Sequence, residues 1–140
     1  MKDIIGFQGE YRWLSNFWHA PFMYSGVRYE TVEHAYQAAK TTDPAERKAI
    51  INTAGPGGAK TRGRLIKHMR PDWDQVKLQI MEDLVYAKFS QNPELASKLR
   101  TTGSAQLVED NWWHDTFWGV CNGKGENHLG KILMRVRGAV

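Results

Sequence analysis

The feature that most constrains the fold is a series of helix-start signals spread along the 140 residues. Asp43-Pro44-Ala45-Glu46 supplies an N-cap, a proline at the first helical position and an acid at the third. Similar signals occur at Thr31, at Asp72-Trp73 and at Asn92-Pro93-Glu94, each followed by apolar residues at helical spacing. We find no alternation of strands with helices, so the pattern disfavours a parallel-sheet nucleotide-binding fold.

These signals, with turn residues and apolar periodicity, predict the elements in order. The expected strands are Ile4–Gly9, a hairpin of Phe22–Tyr24 and Val27–Tyr29 around Ser25-Gly26, and Gln106–Glu109. Six helices are expected: one that begins at Thr31, one from Asp43 to about Thr53, one over Ala59–His68, one that begins at Asp72, one from Asn92 to Gly103, and one over Asn127–Arg137. In the helix that begins at Asp72, the expected buried residues are Trp73, Val76, Ile80, Leu84 and Ala87. We therefore expect a predominantly helical α+β fold, with residues 1–140 forming one compact domain.

Composition excludes several classes of protein. No run approaches the ~20 apolar residues of a membrane span, and Met1–Gly6 has no secretory hydrophobic region, which predicts a cytoplasmic protein without a membrane partner. The single cysteine, Cys121, excludes an internal disulfide and is weak support for a thiol nucleophile. None of the five histidines has zinc-ligand spacing, so we expect neither a metal nor a cofactor, and activity that survives chelation.

A basic run lies between Ala59 and Pro71 in a chain of net charge +4. It contains no acidic residue, and its cations are Lys60, Arg62, Arg64, Lys67 and Arg70. Such a run can hold phosphates or a nucleic-acid backbone, although exposed lysines and arginines are also common on surface helices. The sequence leaves both interpretations open.

Three polar residues share one side of the helix that begins at Thr31. Glu33, Gln37 and Lys40 are separated by four and three residues, so they line up along the helix. A carboxylate, an amide and an amine in one line could provide an acid, a positioning group and a nucleophile. They could equally form a solvated face, with Glu33 stabilising the positive end of the helix.

A glycine-rich segment, Trp118–Gly130, precedes the last expected helix. Glycines allow a ligand to approach the backbone closely, and a helix start offers free N–H groups to a phosphate. The segment matches neither the dinucleotide-binding fingerprint nor a Walker motif. On its own it could equally be a turn.

Taken together, these segments resemble the NADAR (YbiA-like) family. The matching stretches are Leu14–Phe17, Thr31–Lys40, Gly63-Arg64, Asp72-Trp73, Lys88-Phe89, Phe117–Gly119 and Gly123–Met134. They occur in the family's order and span nearly the whole chain. The resemblance implies a mostly helical α+β domain that cleaves N-glycosidic bonds.

The resemblance also implies two substrate classes. One is phosphoribosylated pyrimidine intermediates of early riboflavin synthesis. The other is ADP-ribose attached to guanine in DNA or RNA, which would link the protein functionally to a DNA ADP-ribosyltransferase. A catalytically silent binder of ADP-ribose, NAD or modified nucleic acid is the alternative.

Roles for individual residues follow from the resemblance and from the chemistry of the bond. Cleavage at ribose C1 passes through an oxocarbenium-like carbon that a carboxylate can stabilise, and we assign this role to Glu33. Lys40 would capture an opened ribose as a Schiff base. The predicted substrate contacts are Asn16, Gln37 and Asn127 to ribose hydroxyls, Trp118 to a ring, and Gly119, Gly123, Gly125 and Arg64 to phosphate.

Overall fold

The computed structural model describes residues 2–140, which form two compact units. The terminal unit comprises the N-terminal residues up to Ser15 together with Phe89–Val140, and the central unit is Asn16–Lys88. In chain order the elements are β1 (Ile4–Ile5), a 3₁₀-helix (Gly9–Leu14), β2 (Phe22–Tyr24), β3 (Val27–Tyr29), α1 (Val32–Ala39), α2 (Pro44–Ile51), α3 (Pro56–Arg64), α4 (Trp73–Gln91), α5 (Pro93–Thr101), β4 (Leu107–Val108), β5 (Asp110–Asn111), β6 (Val120–Cys121) and α6 (His128–Ala139). Helices dominate, as the sequence predicts. Within residues 2–140 we find no helix with the length and apolar character of a membrane span.

The predicted hairpin is confirmed in the central unit. Strands β2 and β3 pair antiparallel, with Phe22 opposite Tyr29 and Tyr24 opposite Val27. Ser25 and Gly26, which join the strands, have φ angles of 51° and 78°. Positive φ at both positions is the geometry of the two-residue turn that matches the twist of paired strands.

Side-chain caps begin α1 and α2 at the predicted residues. The Thr31 hydroxyl accepts a hydrogen bond from the His34 N–H at 3.1 Å, and the Asp43 carboxylate accepts one from the Glu46 N–H at 2.9 Å. Each cap satisfies a backbone donor that the first turn of a helix leaves without an intrahelical partner. The sequence therefore located both helix starts correctly.

The predicted bounds of α3 are wrong at both ends. The helix begins at Pro56 rather than Ala59, and it ends at Arg64 rather than His68. Proline has no N–H and is favourable at the first helical position, so the start lies within the Gly-Pro-Gly-Gly segment that the prediction placed outside the helix. Ala59 and Gly63 are buried and four residues apart, so α3 has one narrow, small-residue face.

The buried face of α4 differs in part from the predicted stripe. Trp73, Leu84 and Ala87 are buried as predicted, whereas Val76 and Ile80 are only half-buried. The residues of this helix that are 0–1% exposed are Met81, Leu84, Val85, Lys88 and Phe89. Apolar periodicity alone cannot predict a buried face that contains a lysine.

In the terminal unit, β1 pairs with β4 and β5 pairs with β6, both in parallel. Each pair is two residues long, so neither builds the parallel sheet that the sequence disfavoured. The predicted strand Ile4–Gly9 stops at Ile5, because Gly6 adopts a φ of 89° that leaves the extended conformation. Four almost fully buried side chains of this unit come from α5, β4 and α6: Leu99, Leu107, Ile132 and Leu133.

Asn127 links the start of α6 to β4 and to Glu109, the residue that follows β4. Its side-chain oxygen accepts a hydrogen bond from the Glu109 N–H at 2.9 Å, and its amide nitrogen donates to the Leu107 carbonyl at 3.0 Å. Its backbone is left-handed, with a φ of 53°. Asn127, which the sequence predicts to contact a ribose hydroxyl, therefore also links two segments of the terminal unit.

We predict that Asn127→Ala lowers the free energy of unfolding by about 2–3 kcal/mol, because two backbone groups lose their partners and alanine disfavours the left-handed region. Asn122→Ala is the matched control. Asn122 has a φ of 52°, and its side chain makes no hydrogen bond within the described chain. Denaturant titration of both variants isolates the hydrogen bonds, and equal losses would contradict this account.

Candidate active site

Helix α1 is buried along nearly its whole length. Every residue from Val32 to Ala38 is buried, including Glu33, which is 8% exposed, and Gln37, which is 4% exposed. The interpretation of this side of the helix as a solvated face is therefore wrong. Its polar groups need partners within the protein or in a ligand.

His34 fixes α1 to the segment that follows α2. Its Nε2 lies 2.8 Å from the Thr53 carbonyl, which can only accept, so Nε2 carries the proton that is donated. In the neutral ring Nδ1 then accepts from the Thr31 hydroxyl at 2.8 Å. This buried histidine holds the helix start in place and makes the adjacent Glu33 part of a rigid element.

The Glu33 carboxyl group is held by its neighbour one turn along. Gln37 Nε2 donates to Glu33 Oε1 at 2.7 Å, and the Glu33 N–H donates to the Asn16 carbonyl at 3.1 Å. Burial raises the pKa of Glu33 above its ordinary value, although the Gln37 hydrogen bond and the nearby Lys60 and Lys40 lower it in part. A carboxyl group of this kind can act as an acid or base nearer neutral pH than an exposed one.

Gln37 lies against α3 at Gly63. A Cβ atom on Gly63 would clash with Gln37 Oε1, so only glycine leaves room for this amide. Gln37 Oε1 is buried and has no hydrogen-bond partner within residues 2–140. An unpartnered buried acceptor costs stability.

Lys40, half-buried, follows the last residue of α1, and its Nζ lies 5.3 Å from the centre of the Tyr36 ring. Burial lowers the pKa of the Lys40 amine below its ordinary value, and Glu33 raises it in part. Three further cations lower the same pKa: Arg64, Lys60 and Lys77. A lowered pKa increases the fraction of neutral, nucleophilic amine near neutral pH.

The cations near Lys40 are poorly compensated. Within the part of the chain that the structure describes, neither Lys40, Lys60 nor Arg64 forms an ion pair. Lys60 and Arg64 are one turn apart on α3, on either side of the Gly63 contact with Gln37. An anion would relieve the repulsion of both cations with Lys40, which makes this a suitable place for a phosphate.

The predicted site residues of the central unit thus gather around α1. Asn16 lies at its start, where its carbonyl accepts from Glu33 and its Nδ2 lies 3.5 Å from Met81 Sδ. Arg64 is exposed at the end of α3 and interacts electrostatically with Lys40. The basic run divides: Lys60 and Arg64 interact electrostatically with Lys40, whereas Arg70 pairs with Asp72 at 2.7 Å.

A second perturbed lysine lies on α4. Lys88 is 1% exposed, and burial lowers its pKa to about 7. The sequence comparison used Lys88-Phe89 only as a matching stretch. Lys88 is therefore a second amine that can be neutral and nucleophilic near neutral pH.

Asp43, Glu46 and His68 form a cluster that the sequence spacing did not predict. One potential ligand atom from each lies within 4.8 Å of the others. Glu46 already accepts hydrogen bonds from the Thr41 hydroxyl at 2.6 Å and from the Lys67 N–H at 2.7 Å. The Asp43 carboxylate caps α2, so the cluster joins this helix start to residues 67–68.

The predicted ring-stacking residue Trp118 is positioned by Asp115 in the terminal unit. Asp115 Oδ1 accepts from the backbone N–H groups of Phe117 and Trp118 at 3.1 and 2.9 Å. The Phe117 and Trp118 rings meet edge to face, with centres 4.8 Å apart. The sequence did not identify Asp115; the signal was an aspartate two residues before an aromatic pair, which is typical of an Asx turn.

The predicted phosphate-binding glycines meet the protein's own backbone. A Cβ atom on Gly119 would clash with Glu109, and one on Gly125 would clash with the Gly119 carbonyl. Gly123 is a turn residue with a φ of 75°. Close packing explains the first two glycines, and phosphate contacts by all three remain a prediction.

Comparisons with known proteins identify the family to which this chain belongs. The family model for the NADAR domain matches residues 6–140. The chain belongs to the NADAR domain family. It is 39% identical to the N-glycosidase YbiA of Shigella boydii serotype 4 (strain Sb227) over 143 residues, which cover 98% of this chain and 89% of that protein.

Two further proteins are similar to this chain. The NMR structure of the Escherichia coli protein YbiA matches with a TM-score of 0.88 and 36% identity, over 99% of this chain and 86% of that one. A riboflavin biosynthesis protein of Vibrio vulnificus is 35% identical over 126 residues, 89% of this chain but 34% of that protein. The predicted YbiA-like α+β fold is confirmed.

We predict that Glu33→Gln raises the melting temperature at about pH 7, because the variant avoids burying a charge. Burial raises the pKa of Glu33 in the folded state, so this destabilisation is absent below the unfolded value of 4.5 and grows as the pH rises through the folded value. The two proteins should therefore melt alike at about pH 4. The exposed Glu94→Gln is the control, and a less stable Glu33→Gln at neutral pH would contradict the prediction.

Proposed function

We propose that this chain is an N-glycosidase that cleaves the bond between ribose C1 and a base nitrogen. The observation that carries the proposal is the buried Glu33 carboxyl group, oriented by Gln37 and accompanied by Lys40 at the end of the same helix. The N-glycosidase name of a relative that aligns over nearly the whole chain supports the same reaction.

Glu33 is suited to the step in which the C1–N bond breaks. The bonding electrons leave with the base nitrogen, and positive charge develops on C1 and the ring oxygen. An ionised carboxylate stabilises that charge at short range, more strongly in a buried site than in water. The Gln37 hydrogen bond fixes one carboxyl oxygen and leaves the other for the substrate.

Lys40 is suited to the exocyclic glycosylamine class of substrate. When the ribose opens, the Lys40 amine adds to C1 and displaces the base amine, which leaves with a proton, so that an imine joins Lys40 to the sugar. Water then hydrolyses the imine and returns the free sugar and the lysine. The lowered pKa of Lys40 favours the neutral amine that this attack requires.

The cations around Lys40 favour a phosphorylated sugar. Lys60 and Arg64 flank Gly63 on α3 and form no ion pair within residues 2–140, so a phosphate of a phosphoribosyl or ADP-ribosyl substrate would neutralise them. The Vibrio relative's name favours the riboflavin-type pyrimidine intermediates. ADP-ribosylated guanine in nucleic acid is the second class, and it would link this chain to a DNA ADP-ribosyltransferase.

We predict that Glu33→Gln lowers kcat at least ~10³-fold, equivalent to ~4 kcal/mol of transition-state stabilisation, while the fold persists. Lys40→Ala should abolish turnover, and Lys40→Arg should not restore it, because a guanidinium cannot form an imine. The measurement is steady-state hydrolysis of the riboflavin-type intermediates and of ADP-ribosylated DNA. Borohydride added during turnover, followed by peptide mass spectrometry, should place a sugar adduct on Lys40.

The same experiment distinguishes the alternatives. An adduct on Lys88 would transfer the nucleophile to that buried amine. Full activity of Lys40→Arg without any adduct would leave direct water attack supported by Glu33. If the wild-type protein binds a substrate of either class but turns over neither, the result would favour a catalytically silent binder.

We predict that Lys60→Gln raises the KM of a mononucleotide-sized substrate about tenfold, because one charge-assisted phosphate contact is lost. Arg62→Gln is the matched control, since Arg62 is exposed on the same helix and shows no interaction with Glu33 or Lys40. Both variants should be assayed on the mononucleotide and on modified DNA. Loss on DNA alone would assign Lys60 to the nucleic-acid backbone instead.

A further inference from the structure

Asp43, Glu46 and His68 bring two carboxylates and an imidazole together beside the start of α2. One potential ligand atom from each side chain lies within 4.8 Å of the other two. Glu46 Oε1 and His68 Nδ1 are 3.5 Å apart. Two ligands bound at about 2.0–2.1 Å to a tetrahedral zinc ion are themselves roughly 3.3 Å apart, so this pair already has the separation that such an ion requires. Rotation of the Asp43 carboxylate has to shorten the remaining distances by at most about 1.5 Å.

Glu46 can offer an oxygen to a metal ion without leaving its present donors unpaired. Its Oε2 accepts from the Lys67 N–H at 2.7 Å, and its Oε1 accepts from the His68 N–H at 3.2 Å. The Thr41 hydroxyl also donates to Oε1, at 2.6 Å, but the His68 carbonyl lies 3.1 Å from the same hydroxyl. A hydroxyl has one proton to donate, so it can turn to the carbonyl and release a lone pair of Oε1 for the ion.

The charge of the cluster also favours a divalent cation. Within residues 2–140, neither Asp43 nor Glu46 forms an ion pair with a lysine or an arginine. The side chain of His68 is 64% exposed, and its ring makes no hydrogen bond in the same part of the chain, so its nitrogens are accessible to a ligand. Two carboxylates without a basic partner and an available imidazole match the charge and the ligand preference of a zinc ion.

We propose that Asp43, Glu46 and His68 bind a divalent transition-metal ion of the zinc class, with water completing the coordination. An imidazole nitrogen favours Zn²⁺ over Ca²⁺ and Mg²⁺, which take oxygen ligands. Sequence spacing predicted no metal site because His68 lies 22 residues from Glu46, and only the fold brings the two side chains together.

An ion at this site joins the start of α2 to the segment that follows α3. In that segment, Met69 forms a bridge with Thr41, and the Arg70 N–H donates to the Lys40 carbonyl at 2.8 Å. The ion therefore stabilises the central unit close to the end of α1. None of its three ligands is among the groups assigned to catalysis, so turnover does not require it. The inference goes beyond the proposed function and does not depend on it.

The test is the binding of Zn²⁺ by untagged protein that has been treated with EDTA and dialysed. Isothermal titration should show Zn²⁺ binding, and Zn²⁺ at about a hundredfold excess over Kd should raise the melting temperature by about 5 °C or more. Mg²⁺ and Ca²⁺ at the same concentrations should change the melting temperature little. Absence of Zn²⁺ binding, or equal binding of Mg²⁺, would overturn the proposal.

Variants locate the site. His68→Gln and Asp43→Asn should each weaken Zn²⁺ binding at least about tenfold, and asparagine retains the side-chain oxygen that caps α2. His19→Gln is the matched control, because His19 is an exposed histidine 2.6 Å from a single carboxylate, that of Glu30, and it should change the affinity less than about twofold.

Two further measurements complete the test. Without Zn²⁺, His68→Gln should melt like wild type, so a loss of affinity in this variant does not arise from misfolding. Its turnover should also equal that of wild type, which separates the metal site from the proposed catalysis. No loss of Zn²⁺ affinity in His68→Gln, or an equal loss in His19→Gln, would refute the assignment.

Discussion

The contact between Gly63 and Gln37 determines the arrangement of the central unit's site. Because Gly63 has no side chain, the Gln37 amide occupies the space where a Cβ atom would lie. From that position its nitrogen reaches Glu33 at 2.7 Å. The same approach of α3 places Lys60 and Arg64 near α1, so the orientation of the carboxyl group and the local positive charge have one structural origin. A larger residue at position 63 would displace the amide and affect both.

Helix α1 concentrates features that lower stability. Glu33 is a buried carboxyl group, Gln37 Oε1 is a buried acceptor without a partner in residues 2–140, and Lys40 lies among like charges. Each costs free energy in the absence of a ligand. Elsewhere on the helix the buried His34 and Thr31 are fully hydrogen-bonded. Polar groups that are unsatisfied at one place, beside others that are satisfied, are typical of a functional site rather than of a poorly packed helix.

Local chemistry explains which parts of the structure the sequence could predict. The starts of α1 and α2 were predictable because Thr31 and Asp43 cap their own helices through residues three positions away. The end of α3 was not, since the basic run continues past Arg64 with residues that are equally acceptable in a helix or a loop.

In the candidate site, too, the sequence predicts local features but not contacts between distant residues. The line of Glu33, Gln37 and Lys40 was visible as a spacing, but the burial of Gln37 depends on Gly63 of α3, which is distant from it along the chain. Glycines pose a related problem: Gly119 indicated that something approaches its backbone closely, but not that Glu109 does so. Lys88 was not predictable at all, because a lysine on a helix is ordinarily exposed.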